Sequence, residues 1–192
     1  TTPISYFSTF HMPEVDGAIM VTGSHNPPEY NGFKISVGKT TIMGEEIQAL
    51  KQIIKEKDYV SGQGSEVAHD IFPEYIKRYK EEFRDLSGVK VVLDCGNGVA
   101  GSVVRRLYEA VGIEPIILFE EPDGTFPNHH PDPTVESTMA DLKEAVAKNK
   151  AAIGIGFDGD ADRIGIISNT GRFILGDELM AFYSDSILKD HP

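Results

Sequence analysis

The stretch VKVVLDCGNGVAG at residues 89–101 decides the fold class, because it joins a buried strand to a tight turn and then to a helix. VKVVLD is a short apolar run ended by a glycine-rich turn, as in the buried strands of parallel sheets. The sequence predicts a helix after the turn, through about Ala110. Further strands are predicted at 115–119, 151–157 and 164–168, and helices at 44–57, 70–83, 136–149 and 177–189. Strands that alternate with helices in this way predict an α/β sandwich.

The turn GNGVAG at 96–101 also matches the pattern G-x-G-x-x-G, which binds dinucleotides when it lies between a strand and a helix. Glu120 and Glu121 follow the next predicted strand, about where that fold places its ribose-binding acid. A NAD-binding α/β domain is therefore one interpretation. The other is that these glycines only pack a tight strand-to-helix turn.

The bulk composition excludes several classes of partner. The net charge of −12 argues against nucleic acid and against anionic membranes, because both would repel the chain. Apolar residues make up 40% of the sequence, which is enough for a core, and no apolar run approaches the length of a membrane span. Cys95 is the single cysteine, so an internal disulfide is impossible and a reducing, cytoplasmic location is predicted.

The segment DGDADR at 158–163 predicts a metal site between two strands. Asp158, Asp160 and Asp162 would repel one another without a cation, and oxygen-only ligands suit Mg²⁺ or Ca²⁺. An EF-hand is excluded, because its sixth and twelfth positions would be Arg163 and Asn169. A D-x-D-x-T/V phosphatase motif fails at Asp162. The alternative is an ordinary solvated acidic turn, which the flanking buried strands disfavour.

The loop in VTGSHNPPEYNGFK at 21–34 joins predicted strands at 17–22 and 33–38 and presents Ser24 beside His25. A hydrolase triad is disfavoured, because adjacent residues seldom point at each other as base and nucleophile must. A phosphorylated Ser24 fits better. The negatively charged phosphate could lie near the aspartates only if a divalent ion lay between them. Lys34 and Arg163 would face the phosphate oxygens.

These motifs resemble those of the α-D-phosphohexomutase family. TGSHNPPEYNGFK is similar to the family's phosphoserine loop, and DGDADR to its magnesium loop, usually DGDGDR, so that Ala161 departs from the pattern. DCGNGVAG and PNHHPDP are similar to stretches of the second domain in the phosphomannomutase/phosphoglucomutase branch. The resemblance implies an α/β fold of mixed-sheet α/β/α sandwich domains, the first of them incomplete. It also implies that GNGVAG is a structural connection and not a nicotinamide site.

The resemblance implies a role for each motif residue. Ser24 would carry the phosphoryl group, and Mg²⁺ would lie between that phosphate and the three aspartates, Asp158, Asp160 and Asp162. The acid–base and phosphate-contacting positions would be His25 and Lys34, and Arg163 would be an active-site arginine. The implied reaction moves phosphate between C1 and C6 of a hexose phosphate through a hexose 1,6-bisphosphate, which also serves as activator.

The resemblance further predicts that the chain is a piece of a longer enzyme. Residues 1–66 would be the end of domain 1 and residues 67–192 nearly all of domain 2, with 61–70 as linker. Weak or absent turnover follows for the isolated piece. The mannose/glucose branch is favoured over the glucosamine branch, and the oligomeric state is left open. A non-catalytic, metal-dependent phosphosugar-binding module is a further hypothesis.

Three other residues have structural interpretations. His129 and His130 lie in FPNHHPDP, a proline-rich loop without metal-ligand spacing, and a structural or domain-facing role is expected. Cys95 is expected to be a small buried residue.

Overall fold

The structure is a computed structural model, and it describes residues 1–83 and 85–190. The first part contains α1 (Thr2–His11), β1 (Gly17–Val21), β2 (Phe33–Val37), β3 (Thr40–Thr41) and α2 (Glu45–Glu56). The strands form an antiparallel sheet in the order β1-β2-β3. The ladder between β1 and β2 closes at the pair Val21 and Phe33, so the Ser24 loop leaves from one end of the sheet.

The second part is the larger domain. It contains α3 (Phe72–Glu82), β4 (Val91–Asp94), α4 (Val104–Glu109), β5 (Ile116–Leu118), α5 (Ala140–Asn149), β6 (Ile153–Phe157), β7 (Ile164–Ser168), β8 (Phe173–Ile174) and α6 (Gly176–Asp190). The sheet order is β5-β4-β6-β7-β8. β4 pairs in parallel with β5 and β6, whereas β7 is antiparallel to β6 and β8. The mixed sheet agrees with the predicted fold class.

Helices cover both faces of this sheet. Along β4, Leu93 packs in a cluster with residues of α4, while Val92 packs in a second cluster with α5. Alternate residues of a strand point to opposite faces, so β4 contributes to both clusters and is fully buried. Gly154 of β6 lets α5 approach, since a methyl group there would lie 2.9 Å from a methyl carbon of Leu142. The domain is therefore an α/β/α sandwich.

The sequence analysis missed two elements and misjudged two helix starts. It did not predict α1 or β3. Short 3-10 turns at Val99–Ser102 and Glu136–Met139 precede α4 and α5, where regular helix was expected. Residues 57–71, which include the predicted linker at 61–70, form no helix or strand. Phe7 of α1 and Tyr75 of α3 pack edge to face at 5.1 Å between ring centroids, so the two parts are also in contact away from the linker.

The two faces of the small sheet differ in character. Directly paired residues of β1 and β2 share a face, and one face presents Ile19, Val21, Phe33 and Val37, each more than half exposed. The opposite face holds Lys34 and the buried Ser36. Within 1–83 and 85–190, no helix has the length and apolar character that crossing a bilayer requires.

Candidate active site

The three aspartates occupy the tight turn between β6 and β7. Asp158 directly follows β6, and its Oδ1 accepts hydrogen bonds from the backbone N–H groups of Asp162 and Arg163, both at 3.0 Å. Ala161 has φ +63°, a left-handed conformation that favours glycine, so the departure from DGDGDR falls at a strained position. The turn nevertheless keeps its hydrogen bonds with alanine.

The aspartates offer oxygen atoms that lie within 4.8 Å of one another. Asp158 and Asp160 are buried, and Asp162 is partly exposed. Asp160 Oδ1 is buried and has no hydrogen-bond partner among residues 1–83 and 85–190, although burying an unpaired carboxylate oxygen is costly. A hard divalent cation would satisfy this atom and reduce the repulsion, so the donor set fits Mg²⁺.

Two residues from the first part of the chain bind the other oxygen of Asp160. Lys34 Nζ lies 2.7 Å from Asp160 Oδ2 and 2.6 Å from Asp162 Oδ2. The hydroxyl of Thr2, at the start of α1, donates to Asp160 Oδ2 at 2.7 Å, and its backbone N–H donates to the Asp160 carbonyl at 3.1 Å. The aspartate loop is therefore held by both β2 and α1.

These contacts separate the pKa values of neighbouring carboxyl groups. Burial disfavours the charged form of Asp160, but the hydrogen bonds from Lys34 and Thr2 outweigh it and lower the pKa of Asp160 to about 2. Burial raises the pKa of Asp158, and the nearby carboxylates Asp160 and Asp162 add to this. The pKa of Lys34 is raised, because its hydrogen bonds to the two aspartates outweigh its own desolvation.

Ser24 lies directly against this cluster. Its hydroxyl donates to Asp158 Oδ2 at 2.9 Å and accepts from Arg163 Nη2 at 2.9 Å. The backbone N–H of Ser24 donates to Thr22 Oγ1 at 2.8 Å, which holds a tight turn with φ +53° at Ser24. The structure thus brings together a serine hydroxyl, a carboxylate cluster and a guanidinium group from opposite ends of the chain.

His25 also approaches Ser24, contrary to the expectation that adjacent side chains would not meet. His25 Nδ1 lies 3.2 Å from Ser24 Oγ and 2.6 Å from Arg163 Nη2. A guanidinium can only donate, so Nδ1 must be the acceptor nitrogen and its lone pair faces Arg163. Since the serine proton goes to Asp158, this arrangement differs from a serine–histidine hydrolase pair.

Close backbone packing fixes the position of the Ser24 loop. A methyl group on Gly159 would overlap the carbonyl oxygen of Ser24, and one on Gly98 would lie 2.9 Å from the carbonyl oxygen of Gly159. Gly98, Gly159 and Ser24 therefore form three stacked layers of backbone. Gly101 packs in the same way against the carbonyl of Glu120.

This packing bears on the dinucleotide interpretation of GNGVAG. Two of its glycines face protein backbone, and the turn leads into the 3-10 turn at Val99–Ser102 rather than the N-terminus of a long helix. A pyrophosphate needs that glycine surface and that helix end. The observed geometry favours the structural interpretation.

Three further residues take part in the surroundings of the site. Cys95 is buried as expected, and burial raises its pKa to about 12, so the thiol stays protonated. His129 Nε2 donates to the buried carboxylate of Asp94, 3.1 Å from each oxygen. The ring of His130 packs edge to face on His25, with 5.8 Å between centroids. The sequence analysis gave no role to Thr2 or Asp94. Asp94 lies in the recognised stretch DCGNGVAG, whereas Thr2 belongs to no motif that the sequence analysis recognised.

Comparison with known proteins identifies the family of both parts. Residues 73–171 match the sequence model of phosphoglucomutase/phosphomannomutase α/β/α domain II, and residues 1–61 match that of domain I. A phosphomannomutase/phosphoglucomutase of Pseudomonas aeruginosa is 44% identical over 191 residues, covering 100% of this chain and 41% of the relative. A phosphoglucomutase of Neisseria meningitidis serogroup B is 40% identical over 194 residues, covering 100% of this chain and 42% of the relative.

Solved structures agree with the sequence comparison. The crystal structure of a phosphoglucomutase/phosphomannomutase family protein from Burkholderia thailandensis superposes with a TM-score of 0.93 at 37% identity, covering 100% of this chain and 43% of that one. A putative phosphomannomutase from Thermus thermophilus gives a TM-score of 0.74 at 26% identity, with coverages of 90% and 40%. The chain thus spans about two fifths of the length of these relatives. It belongs to the phosphoglucomutase/phosphomannomutase family.

Proposed function

We propose that this chain forms the phosphoserine and magnesium half-site of a phosphomannomutase/phosphoglucomutase. The enzyme transfers phosphate reversibly between C1 and C6 of a hexose phosphate through a hexose 1,6-bisphosphate. The observation that supports this most directly is the contact of the Ser24 hydroxyl with both Asp158 and Arg163. A hydroxyl between a metal-binding carboxylate and a guanidinium is suited to phosphoryl transfer, which depends on positioning and charge neutralisation.

The proposed roles follow from the contacts. Ser24 Oγ carries the phosphoryl group, and Arg163 donates hydrogen bonds to it. Asp158, Asp160 and Asp162 would hold Mg²⁺, together with the phosphate on Ser24. When bound, Mg²⁺ neutralises negative charge that develops on the serine oxygen as the phosphoryl group leaves.

His25 and Lys34 complete the proposed site. In the forward half-reaction the P–O bond to Ser24 breaks and a P–O bond to a sugar hydroxyl forms. The sugar hydroxyl gives up its proton to a general base as it attacks, and Ser24 Oγ takes up a proton as it leaves, so the net products are the sugar phosphate and the free serine hydroxyl. His25 and Lys34 lie within reach of Ser24 and of the aspartates respectively, so we assign them the acid–base and phosphate-contacting roles.

The activity, substrate and location of the whole protein belong to the same proposal. The substrate class is a phosphorylated hexose of the mannose or glucose series, with hexose 1,6-bisphosphate as activator. The compartment is the cytoplasm. Because the chain spans 41% of the length of its P. aeruginosa relative, we expect phosphorylation of Ser24 but weak or no turnover from these 192 residues.

Intact-protein mass spectrometry tests the proposal. The chain is incubated with glucose 1,6-bisphosphate with and without Mg²⁺, alongside Ser24→Ala and, as a matched control, Ser61→Ala in the linker. We expect a gain of one phosphoryl mass in the parent and in the control, dependent on Mg²⁺, and none in Ser24→Ala. Equal labelling of Ser24→Ala would refute the assignment of Ser24. Reversible binding of the sugar without labelling would favour the phosphosugar-binding module instead.

A further inference from the structure

The loop at residues 126–134, FPNHHPDPT, lies beside the site but has no role in the proposed transfer. Its most constrained member is His129. Nε2 of His129 lies 3.1 Å from both oxygens of Asp94, and Nδ1 lies 3.0 Å from the carbonyl oxygen of His130. Both ring nitrogens face acceptors, so both are donors and His129 is a cation paired with the Asp94 carboxylate. With no free lone pair, this ring cannot bind a metal ion.

The ion pair fastens the loop to the carboxyl end of β4. Asp94 is 1% exposed, and its Oδ1 also accepts the backbone N–H of Gly96 at 2.9 Å. Pro131 packs over Gly96, where an added methyl group would lie 3.0 Å from the proline Cβ. Removing one partner of a buried pair leaves the other charge uncompensated, so replacing His129 should destabilise the attachment of the loop to β4.

Two more contacts restrain the loop on either side of this anchor. Asn128 donates to the side-chain oxygen of Asn97, in the GNGVAG turn, at 2.7 Å. On the other side, the carbonyl of Pro133 lies so close to Gly165 of β7 that a methyl group there would overlap it. The loop is therefore held to the ends of β4 and β7 by contacts that do not involve the Ser24 loop.

What the anchored loop presents to the site is the ring of His130. This ring meets His25 edge to face, with an interplanar angle of 78°. Edge-to-face packing favours one relative orientation of the two rings. The pKa of Asp132, on the same loop, is lowered by the hydrogen bonds that Thr134 donates to it, and the nearby Arg163 guanidinium adds to this.

We propose that residues 126–134 are a positioning element for His25, anchored by the ion pair between His129 and Asp94 and acting through the ring of His130. His130 and His129 are positioning residues rather than catalytic ones. The contact with His25 is independent of the proposed function, whereas its effect on phosphoryl transfer rests on that function. The FPNHHPDP motif, which was interpreted from the sequence as structural or domain-facing, thereby acquires a specific role.

The test uses the 192-residue chain and two readouts. The first is the Cε1–H cross-peak of His25 in a ¹³C–¹H NMR spectrum of histidine-labelled protein at one fixed pH. The chain has six histidines, and His25→Gln identifies the peak. The second is the rate of Ser24 labelling by glucose 1,6-bisphosphate. The variants are His130→Ala, His130→Phe, which keeps a ring, and His129→Gln, with His69→Ala as a control that is half exposed and outside the loop.

We expect the His25 peak to move in His130→Ala and to move in the same direction in His129→Gln, although His129 does not stack on His25. It should stay near its parent position in His130→Phe and in His69→Ala. Labelling should slow by about 10-fold to 100-fold in the first two variants, as misplacement of a reacting group would cause, and recover in His130→Phe.

Several outcomes would overturn the proposal. An unmoved His25 peak in His130→Ala would show that the ring does not position His25. A displaced peak with parent-like labelling would remove the role in transfer. If the parent itself is not labelled, the proposed function fails for this chain, yet the His25 peak still decides the positioning. If circular dichroism shows that His129→Gln is unfolded, the comparison of His130→Ala with His130→Phe still tests whether the ring of His130 positions His25.

Discussion

Asp160 uses its two carboxylate oxygens differently. Oδ2 accepts hydrogen bonds from Thr2 and Lys34, whereas Oδ1 is buried and has no partner in the part of the chain that the structure describes. Partners that orient a ligand without touching the metal typically change metal affinity by 10-fold to 100-fold. Thr2 is completely buried and meets this description, because its hydroxyl fixes the rotation of the carboxylate and so the direction of Oδ1.

Replacing Thr2 by valine is therefore expected to weaken Mg²⁺ binding by about 10-fold or more. Thr2→Ser, which keeps the hydroxyl, should stay within a few-fold of the parent. Isothermal titration calorimetry with Mg²⁺ measures the affinity of the parent chain and of both variants. Thr9→Val is the matched control, since Thr9 is also buried in α1 but its hydroxyl donates to the Tyr6 carbonyl, away from the metal loop. Equal losses in Thr2→Val and Thr9→Val would indicate a general weakening of α1.

The lowered pKa of Asp160 predicts how metal-free stability changes with acid. The folded pKa, about 2, lies below the ordinary value of 3.8, so the ionised carboxylate stabilises the fold above about pH 4. That stabilisation, about 2 kcal/mol at most, is lost as the pH falls from about 4 to 2. In the Lys34→Met variant the pKa of Asp160 in the folded protein should be higher than in the parent. A smaller part of the free energy of unfolding is then lost between about pH 4 and about pH 2. Urea unfolding at several pH values measures the difference, and identical pH slopes for parent and variant would contradict it.

At the scale of elements, the site depends on three backbone segments that touch without side chains between them. Gly159 lies directly under the Ser24 carbonyl, and Gly98 lies under Gly159. Any Cβ inserted in this stack pushes the serine loop away from the aspartates. Displacing tightly packed segments costs about 1–3 kcal/mol.

Gly159→Ala should accordingly lower the free energy of unfolding by about 1–3 kcal/mol and slow Ser24 labelling by about 10-fold or more. Its φ is not in the left-handed region, so the contact rather than backbone strain is responsible. Gly64→Ala is the control, because a methyl group there would meet no atom of the described residues within 4 Å. Normal labelling in Gly159→Ala would show that the close approach of the two loops is dispensable.

The elements also show which parts of the fold and site the sequence could predict. The strands β4, β6 and β7 were predicted because buried apolar runs next to turn residues have few other interpretations. Helix α1 was missed because its aromatic residues alternate with serine and threonine, which have no clear helical signal. Thr2 could not be linked to Asp160, since 158 positions separate them and no local pattern records that contact.

At the scale of the whole molecule, the small sheet has one face turned to the aspartates and one apolar face turned outward. Successive side chains of a strand point to opposite faces of the sheet, so Lys34 faces the aspartates while its neighbour Phe33 lies on the outward face. Phe33, Ile19 and Val37 are each 65% exposed, and Val21 is 57% exposed. Beside them, a cavity of about 550 Å³ opens between β2 and α2, lined in part by Ile47, Leu50 and Ile54.

A contiguous apolar surface of this kind promotes association, so the 192-residue chain is expected to self-associate as its concentration rises. Phe33→Thr combined with Val21→Thr keeps β-forming residues while removing apolar area, and should shift the distribution towards monomer. Val60→Thr is the control, since Val60 is fully exposed but lies outside this face. Sedimentation velocity at several concentrations measures the distribution, and binding of a hydrophobic dye measures exposure. A parent chain that stays monomeric and binds no dye would contradict an accessible apolar face, whereas equal association of all three proteins would place the contact on another surface.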